Sequence, residues 1–142
     1  MGAGKYLQAG LLLAGSMLPW SAGSAAAQTL DIELNRLEDL AGQCAASLLL
    51  TNRLSETIEQ VRFDLYVFGQ DGVIARRLLL DTGPMRVDKT TVATFALLDR
   101  PCSTIGGLLV SDVPLCKTVN GADLDCVAAL TLTSRAAIPL AK

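Results

Sequence analysis

The sequence contains no histidine. That absence removes the commonest general base, the Ser-His and Cys-His nucleophile pairs and the most frequent zinc ligand. No Gly-x-Ser-x-Gly elbow surrounds Ser47, Ser55, Ser103, Ser111 or Ser134, and neither Lys89 nor Lys117 completes a Ser-x-x-Lys motif. Glu33, Glu38, Glu56 and Glu59 are spaced along strands and turns in a way that gives no reason for two carboxylates to meet in a cleft. The chain therefore reads as a non-enzyme. Aromatic residues make up only 4% of the 142 positions, so a core has to be built mainly from Leu, Val and Ile. Positive charge is also scarce. Twelve Lys and Arg face fourteen Asp and Glu, which leaves no basic field for a nucleic-acid backbone.

What is present begins with an export pattern. Lys5 precedes an apolar stretch from Tyr6 to Trp20, and small residues then lead to Ala25-x-Ala27 before Gln28. A positive start, an apolar middle and a small-residue cleavage site match a secretory signal peptide. Gln8, Gly10, Gly15, Ser16 and Pro19 dilute the apolar stretch below the roughly 20 consecutive apolar residues that span a bilayer, so no stable membrane span is expected after cleavage. The expected division is a signal peptide over 1–27 and a single domain over 28–142. The mature domain would have 115 residues and, without Lys5, a net charge of −3. Arg76 and Arg77 lie too far along the chain to serve as a twin-arginine export motif, so the general secretory route and a periplasmic location are expected.

Four cysteines, Cys44, Cys102, Cys116 and Cys126, all fall in the mature part. An even number in an exported chain predicts two disulfides, with three pairings open. The favoured pairing joins Cys116 to Cys126 around Asn120-Gly121 and leaves Cys44 for Cys102. Chain entropy assigns roughly 3 kcal/mol to the short loop and about 4 kcal/mol to the long one. No metal or cofactor is expected: there is no C-x-x-C and no histidine to complete a zinc site. Asn120, Asp123 and Asp125 lack the EF-hand spacing and read as turn formers.

Apolar residues recur mostly at period two. Leu30, Ile32 and Leu34 alternate with polar residues, Cys44 to Thr51 is a central apolar run, and Val61 to Phe68 alternates cleanly. In that last run Val61, Phe63, Leu65 and Val67 share one face, and Arg62, Asp64, Tyr66 and Phe68 share the other. Asp71-Gly72 predicts a hairpin returning over Val73 to Leu80. Further strands are expected from Asp88 to Leu98, Gly107 to Val110 and Val127 to Ser134. Arg36 to Leu40 and Leu54 to Gln60 favour helix but are too short to stand alone. About seven short strands without intervening helices predict an all-β, immunoglobulin-like antiparallel β-sandwich.

The residues also carry a family resemblance. Leu49 to Asn52, Val61-x-Phe63-x-Leu65-x-Val67-Phe68, Asp71-Gly72-Val73-Ile74, and Gly83-Pro84 ahead of Lys89-Thr90 resemble FxLYD-type immunoglobulin-like domains. The mature chain as a whole resembles uncharacterised small exported proteins of alphaproteobacteria, through the Cys44 strand, the run from Asp71 to Arg77, the later cysteines and Ser134-Arg135-Ala136. The resemblance implies an envelope-side immunoglobulin-like module with no assigned activity. Members often carry a twin-arginine signal label, from which this start departs.

The expected function is that of a non-catalytic protein-contact module, adaptor or structural, with an envelope protein as partner. The contact residues singled out are Tyr66 and Phe68, which face away from the core side, and Arg76 and Arg77, a cationic pair within a strand. Their plainer roles are cover by a neighbouring segment for the aromatics and protection of an edge strand for the arginines. The alternative expectation is an inhibitor or binder of an envelope hydrolase, acting through the disulfide-closed loop from Cys116 to Cys126.

Overall fold

The computed structural model describes residues 2–4 and 19–142. Most of the expected signal peptide, from Lys5 to Leu18, lies outside the described residues. Its cleavage segment, Ala25 to Ala27, is exposed and has no regular secondary structure.

The described residues form eight strands: β1 (Leu30–Leu40), β2 (Gln43–Asn52), β3 (Ile58–Gly69), β4 (Ile74–Thr82), β5 (Thr90–Leu98), β6 (Ile105–Thr118), β7 (Leu130–Ser134) and β8 (Leu140–Ala141). One helical turn, α1 (Cys126–Ala129), precedes β7. The strands make two four-stranded sheets, ordered β5-β2-β1-β7 and β4-β3-β6-β8. The chain pairs β1 with β2, crosses to pair β3 with β4, returns with β5 to the first sheet and crosses again with β6. This is the connection pattern of an immunoglobulin-like sandwich.

Pairings within β1 to β6 are antiparallel, while β7 joins β1 and β8 joins β6 in parallel. The parallel margins arise because the chain after β6 passes through the Cys116–Cys126 loop and α1 before laying its last residues along both sheets.

Period-two patterning explains the core. Leu30, Ile32, Leu34, Cys44, Ala46, Leu48 and Leu50 from the first sheet face Val61, Phe63, Leu65, Val67, Leu108 and Val110 from the second, all buried. Phe63 is the one aromatic residue among these buried side chains, so the layer is close-packed aliphatic surface.

Several elements differ from the sequence expectation, among them the strand expected from Val127, which starts only at Leu130 because Cys126–Ala129 form α1, capped by Asp125. Arg36 to Leu40 continues β1 past a bulge at Asn35, because cross-strand pairing with Ala45 to Ser47 and beyond outweighs its helix-favouring composition. The β1–β2 hairpin turns on Ala41 and Gly42, at φ +50° and +80°, an alanine taking the left-handed conformation that glycine or asparagine usually supplies. Strand β6 runs fourteen residues, well beyond Gly107 to Val110, and carries Cys116 at its end. The Asp71-Gly72 hairpin forms as expected, with Gly72 at φ +76° and the Gly69 amide donating to the Val73 carbonyl at 2.9 Å. Gly106 is held by a different constraint. A Cβ there would lie 2.4 Å from the Gly69 carbonyl oxygen, so the β6 backbone passes the β3 end at a distance no side chain allows.

Candidate functional site

The outer face of the second sheet carries two ion pairs across β3 and β4. Arg77 donates through Nε to Asp64 Oδ1 at 2.7 Å and through Nη2 to Oδ2 at 2.8 Å, a two-pronged pair. The same guanidinium lies 5.6 Å from the centroid of the Tyr66 ring, its cross-strand neighbour. Asp64 is only 6% exposed although it sits on the solvent side. The Arg77 hydrogen bonds hold its carboxyl below the usual aspartate range against the opposing effect of burial, with the Arg77 charge and a Ser111 hydrogen bond adding to them. One step along, Arg62 makes the equivalent pair with Asp81 at 2.7 and 3.1 Å.

The structure thus brings Tyr66 and Arg77 together but places Phe68 and Arg76 elsewhere. Phe68 is half-buried opposite Gly107 of β6, and Pro139 from the C-terminal tail lies 3.5 Å from where a Gly107 Cβ would be. Asp64, which locks the face, was missed in the sequence. Its only signal is an acidic residue flanked by Phe63 and Leu65 in the strand whose return strand carries Arg77.

Arg76 points the other way, as strand alternation requires. It stands opposite the buried Val67, and its Nη1 reaches the Leu97 carbonyl of β5 at 3.4 Å. Strands β4 and β5 are edge strands of different sheets, and this contact links them at one margin of the sandwich. The two edges differ in chemistry. Strand β4 carries Arg76, Arg77 and Asp81, whereas β5, Thr90 to Leu98, has no charged residue and no proline. Thr90 to Ala96 pairs regularly with β2 through Ala45 to Thr51, and an irregularity follows only at Leu97. Outward-facing Val92 is 64% exposed. A long uncharged edge presents unpaired backbone donors and acceptors to any other strand.

Both favoured disulfides form. Cys44–Cys102 and Cys116–Cys126 have Cα separations of 4.7 and 6.2 Å, within the ordinary disulfide range. Asp39 lies near Cys44 and Cys102, but its carboxylate accepts the Cys102 backbone N–H at 2.7 Å and the sulfurs are consumed by each other. In the Cys116–Cys126 loop, Asp123 accepts from Lys117 Nζ at 2.7 Å and Asp125 caps α1 by accepting from the Ala128 amide at 3.2 Å. These carboxylates shape the loop. Its tip presents Val119, 57% exposed.

A groove of about 470 Å³ opens where β1 and β7 part from β6, over Leu37, Ile105 and Ile138. Its cations Arg36 and Arg135 are engaged with Glu38 and Glu33, so it offers no convergent set of free polar groups of the kind a reaction site needs.

No protein-family model matches this chain, and neither a curated protein nor a solved structure shows significant similarity to it. Two disulfides fit an oxidising, exported environment. Among the described residues no helix is long and apolar enough to cross a membrane.

Proposed function

We propose that the chain is a non-catalytic protein-contact module of the bacterial envelope, working in the periplasm after removal of residues 1–27. The signal-like start, the even cysteine count, the absence of histidine and the resemblance to small exported proteins support this reading. The observation that carries it is β5, a nine-residue edge strand without charge beside an edge, β4, that is charged. Strand addition to such an edge draws affinity from main-chain hydrogen bonds and specificity from alternate side chains. The Tyr66–Arg77–Asp64 cluster then stiffens the strand pair behind that margin.

The loop from Cys116 to Cys126 supports a second reading, a hydrolase inhibitor. It is closed by a disulfide, braced by the Lys117–Asp123 pair and tipped by exposed Val119. A photo-crosslinking residue placed in turn at Val92, Leu79 and Val119 of the exported protein separates these readings. Crosslinks from Val92 in cells support the β5 edge, and crosslinks from Val119 alone support the loop. Equal crosslinking from all three positions, or none, overturns the contact reading.

A further inference from the structure

The bond after Ala27 stands very near the folded domain. Gln28 is exposed, Thr29 is half-buried and Leu30 is fully buried at the start of β1, so only Gln28 and Thr29 separate the expected cleavage point from the core. Two extended residues span at most about 7 Å. The backbone is already engaged over that distance. The Arg53 amide donates to the Thr29 carbonyl at 2.9 Å, and Leu30 has a strand on each side, with Asn52 of β2 and Leu130 of β7 as its partners. Before the bond, Ala26 and Ala27 lie with Gln28 along a cleft of about 290 Å³ whose far wall includes Arg53, Leu54 and Val87. An exposed segment is ordinarily a preferred target of proteolysis. Exposure is not sufficient here, because an enzyme that takes its substrate as an added strand needs free main-chain groups on both sides of the bond, and those at Thr29 and Leu30 are held by the sandwich.

We propose that the Ala27–Gln28 bond is cut in the unfolded chain and protected in the folded one, so that pairing of β1 decides whether residues 1–27 are removed. The inference rests on reading residues 1–27 as a removable export signal and adds the regulation of that cut. The reaction is hydrolysis: water adds across the bond, leaving a carboxylate on Ala27 and an amine on Gln28. In the open chain Ala25 and Ala27 offer the small side chains a signal peptidase accepts, and Gln28 to Leu30 are free to run on through its cleft. Once the sheet has formed, the start of β1 has to leave both neighbours, and Leu30 the core, before the enzyme can close around the bond. Strand β1 lies inside the first sheet, between β2 and β7, so it lacks the free side along which an edge strand peels away. A chain that folds before the cut therefore keeps its apolar stretch from Tyr6 to Trp20, and a chain that is cut first loses it.

Incubating the full-length, oxidised chain in detergent micelles with a purified signal peptidase, and reading the products by intact mass, tests the proposal. A standard substrate confirms that the enzyme is active. The same chain, reduced, alkylated and shown by circular dichroism to be unfolded, is expected to lose residues 1–27, and the folded chain to lose them about 100-fold more slowly. Inserting Gly-Ser-Gly-Ser-Gly-Ser between Gln28 and Thr29 moves the bond away from β1 and is expected to bring the folded chain to within about 5-fold of the unfolded rate. Asn52→Asp, at the position paired with Leu30, favours opening and is expected to speed cleavage of the folded chain about 10-fold. A melting temperature above that of the assay certifies that each variant is folded. Equal rates for the folded and unfolded wild type overturn the protection and leave the removable signal standing. A folded spacer variant cut no faster than the wild type likewise overturns protection by β1. If neither state is cut between Ala27 and Gln28, the reading of residues 1–27 falls and the inference with it.

Discussion

Asn52 is fully buried and every polar atom of its side chain is used. Nδ2 donates to the Glu56 and Met85 carbonyls, each at 2.9 Å, and Oδ1 accepts the Leu54 amide at 2.9 Å. It ties the end of β2 to the turn entering β3 and to the segment before β5. Asn52→Asp keeps the shape but removes both donations, leaving the Glu56 carbonyl without the Asn52 donor and the Met85 carbonyl with the Ile58 amide alone, each beside a carboxylate. An unfolding midpoint in urea is expected to report a loss of about 2–4 kcal/mol. Arg77 offers a milder case because its own side chain is half in solvent. Arg77→Ala strands the buried Asp64 carboxylate, and the urea midpoint at neutral pH is expected to fall, by less than it does in Asn52→Asp. The sign with pH follows from the lowered carboxyl. Asp64 contributes fully above its unfolded value of about 3.9 and that contribution is lost as pH falls through the lower folded value. Acid titration of stability is expected to show a shallower acid limb in Asp64→Asn than in the wild type.

At the scale of elements, the two disulfides constrain different things. Cys44–Cys102 ties the start of β2 to the turn between β5 and β6, across 58 residues, whereas Cys116–Cys126 closes ten. Replacing Cys44 and Cys102 together by Ala is expected to lower stability by about 4 kcal/mol, and replacing Cys116 and Cys126 by about 3 kcal/mol. Guanidinium denaturation of the two double variants measures the order. Much of this architecture was legible in the sequence. Alternation in Val61 to Val67, the Asp-Gly turn and the cysteine spacing each reflect a local rule that tertiary structure did not override. Strand β8 and the length of β6 were not legible, since two residues beside Pro139 and a run containing Asp112 and Pro114 carry no strand signature; their partners impose the conformation. For the same reason the sequence pointed to Arg76-Arg77 as a unit, while the pleat separated them. One arginine reached a buried aspartate, and the other reached an edge carbonyl that only the packing of two sheets brings near.

For the whole molecule, the missing histidine has a measurable effect. Apart from the α-amino group, no group with an ordinary pKa between 5 and 8 exists in the chain, so folding stability is expected to be flat across that interval. Chemical denaturation at pH 5.5, 6.5 and 7.5 with midpoints differing by more than experimental scatter would contradict this.

The parallel margins govern the order in which the molecule can assemble. Leu30 opens β1, yet its neighbour on one side is Leu130, supplied only after a hundred further residues. Leu108 and Leu109 of β6 likewise wait for Leu140 and Ala141. A chain synthesised from its N-terminus therefore keeps one side of Leu30 to Leu34 in β1, and of Leu108 and Leu109 in β6, unpaired until Leu130 to Ala141 arrive. Closure by such distant contacts is slow, because the entropy of a very long loop is lost before any pairing compensates it. The C-terminal tail acts as the final latch on both sheets. Ending the chain at Ala129 would leave two interior strands exposed as edges together, and such a protein would form inclusions where the full-length one stays dispersed.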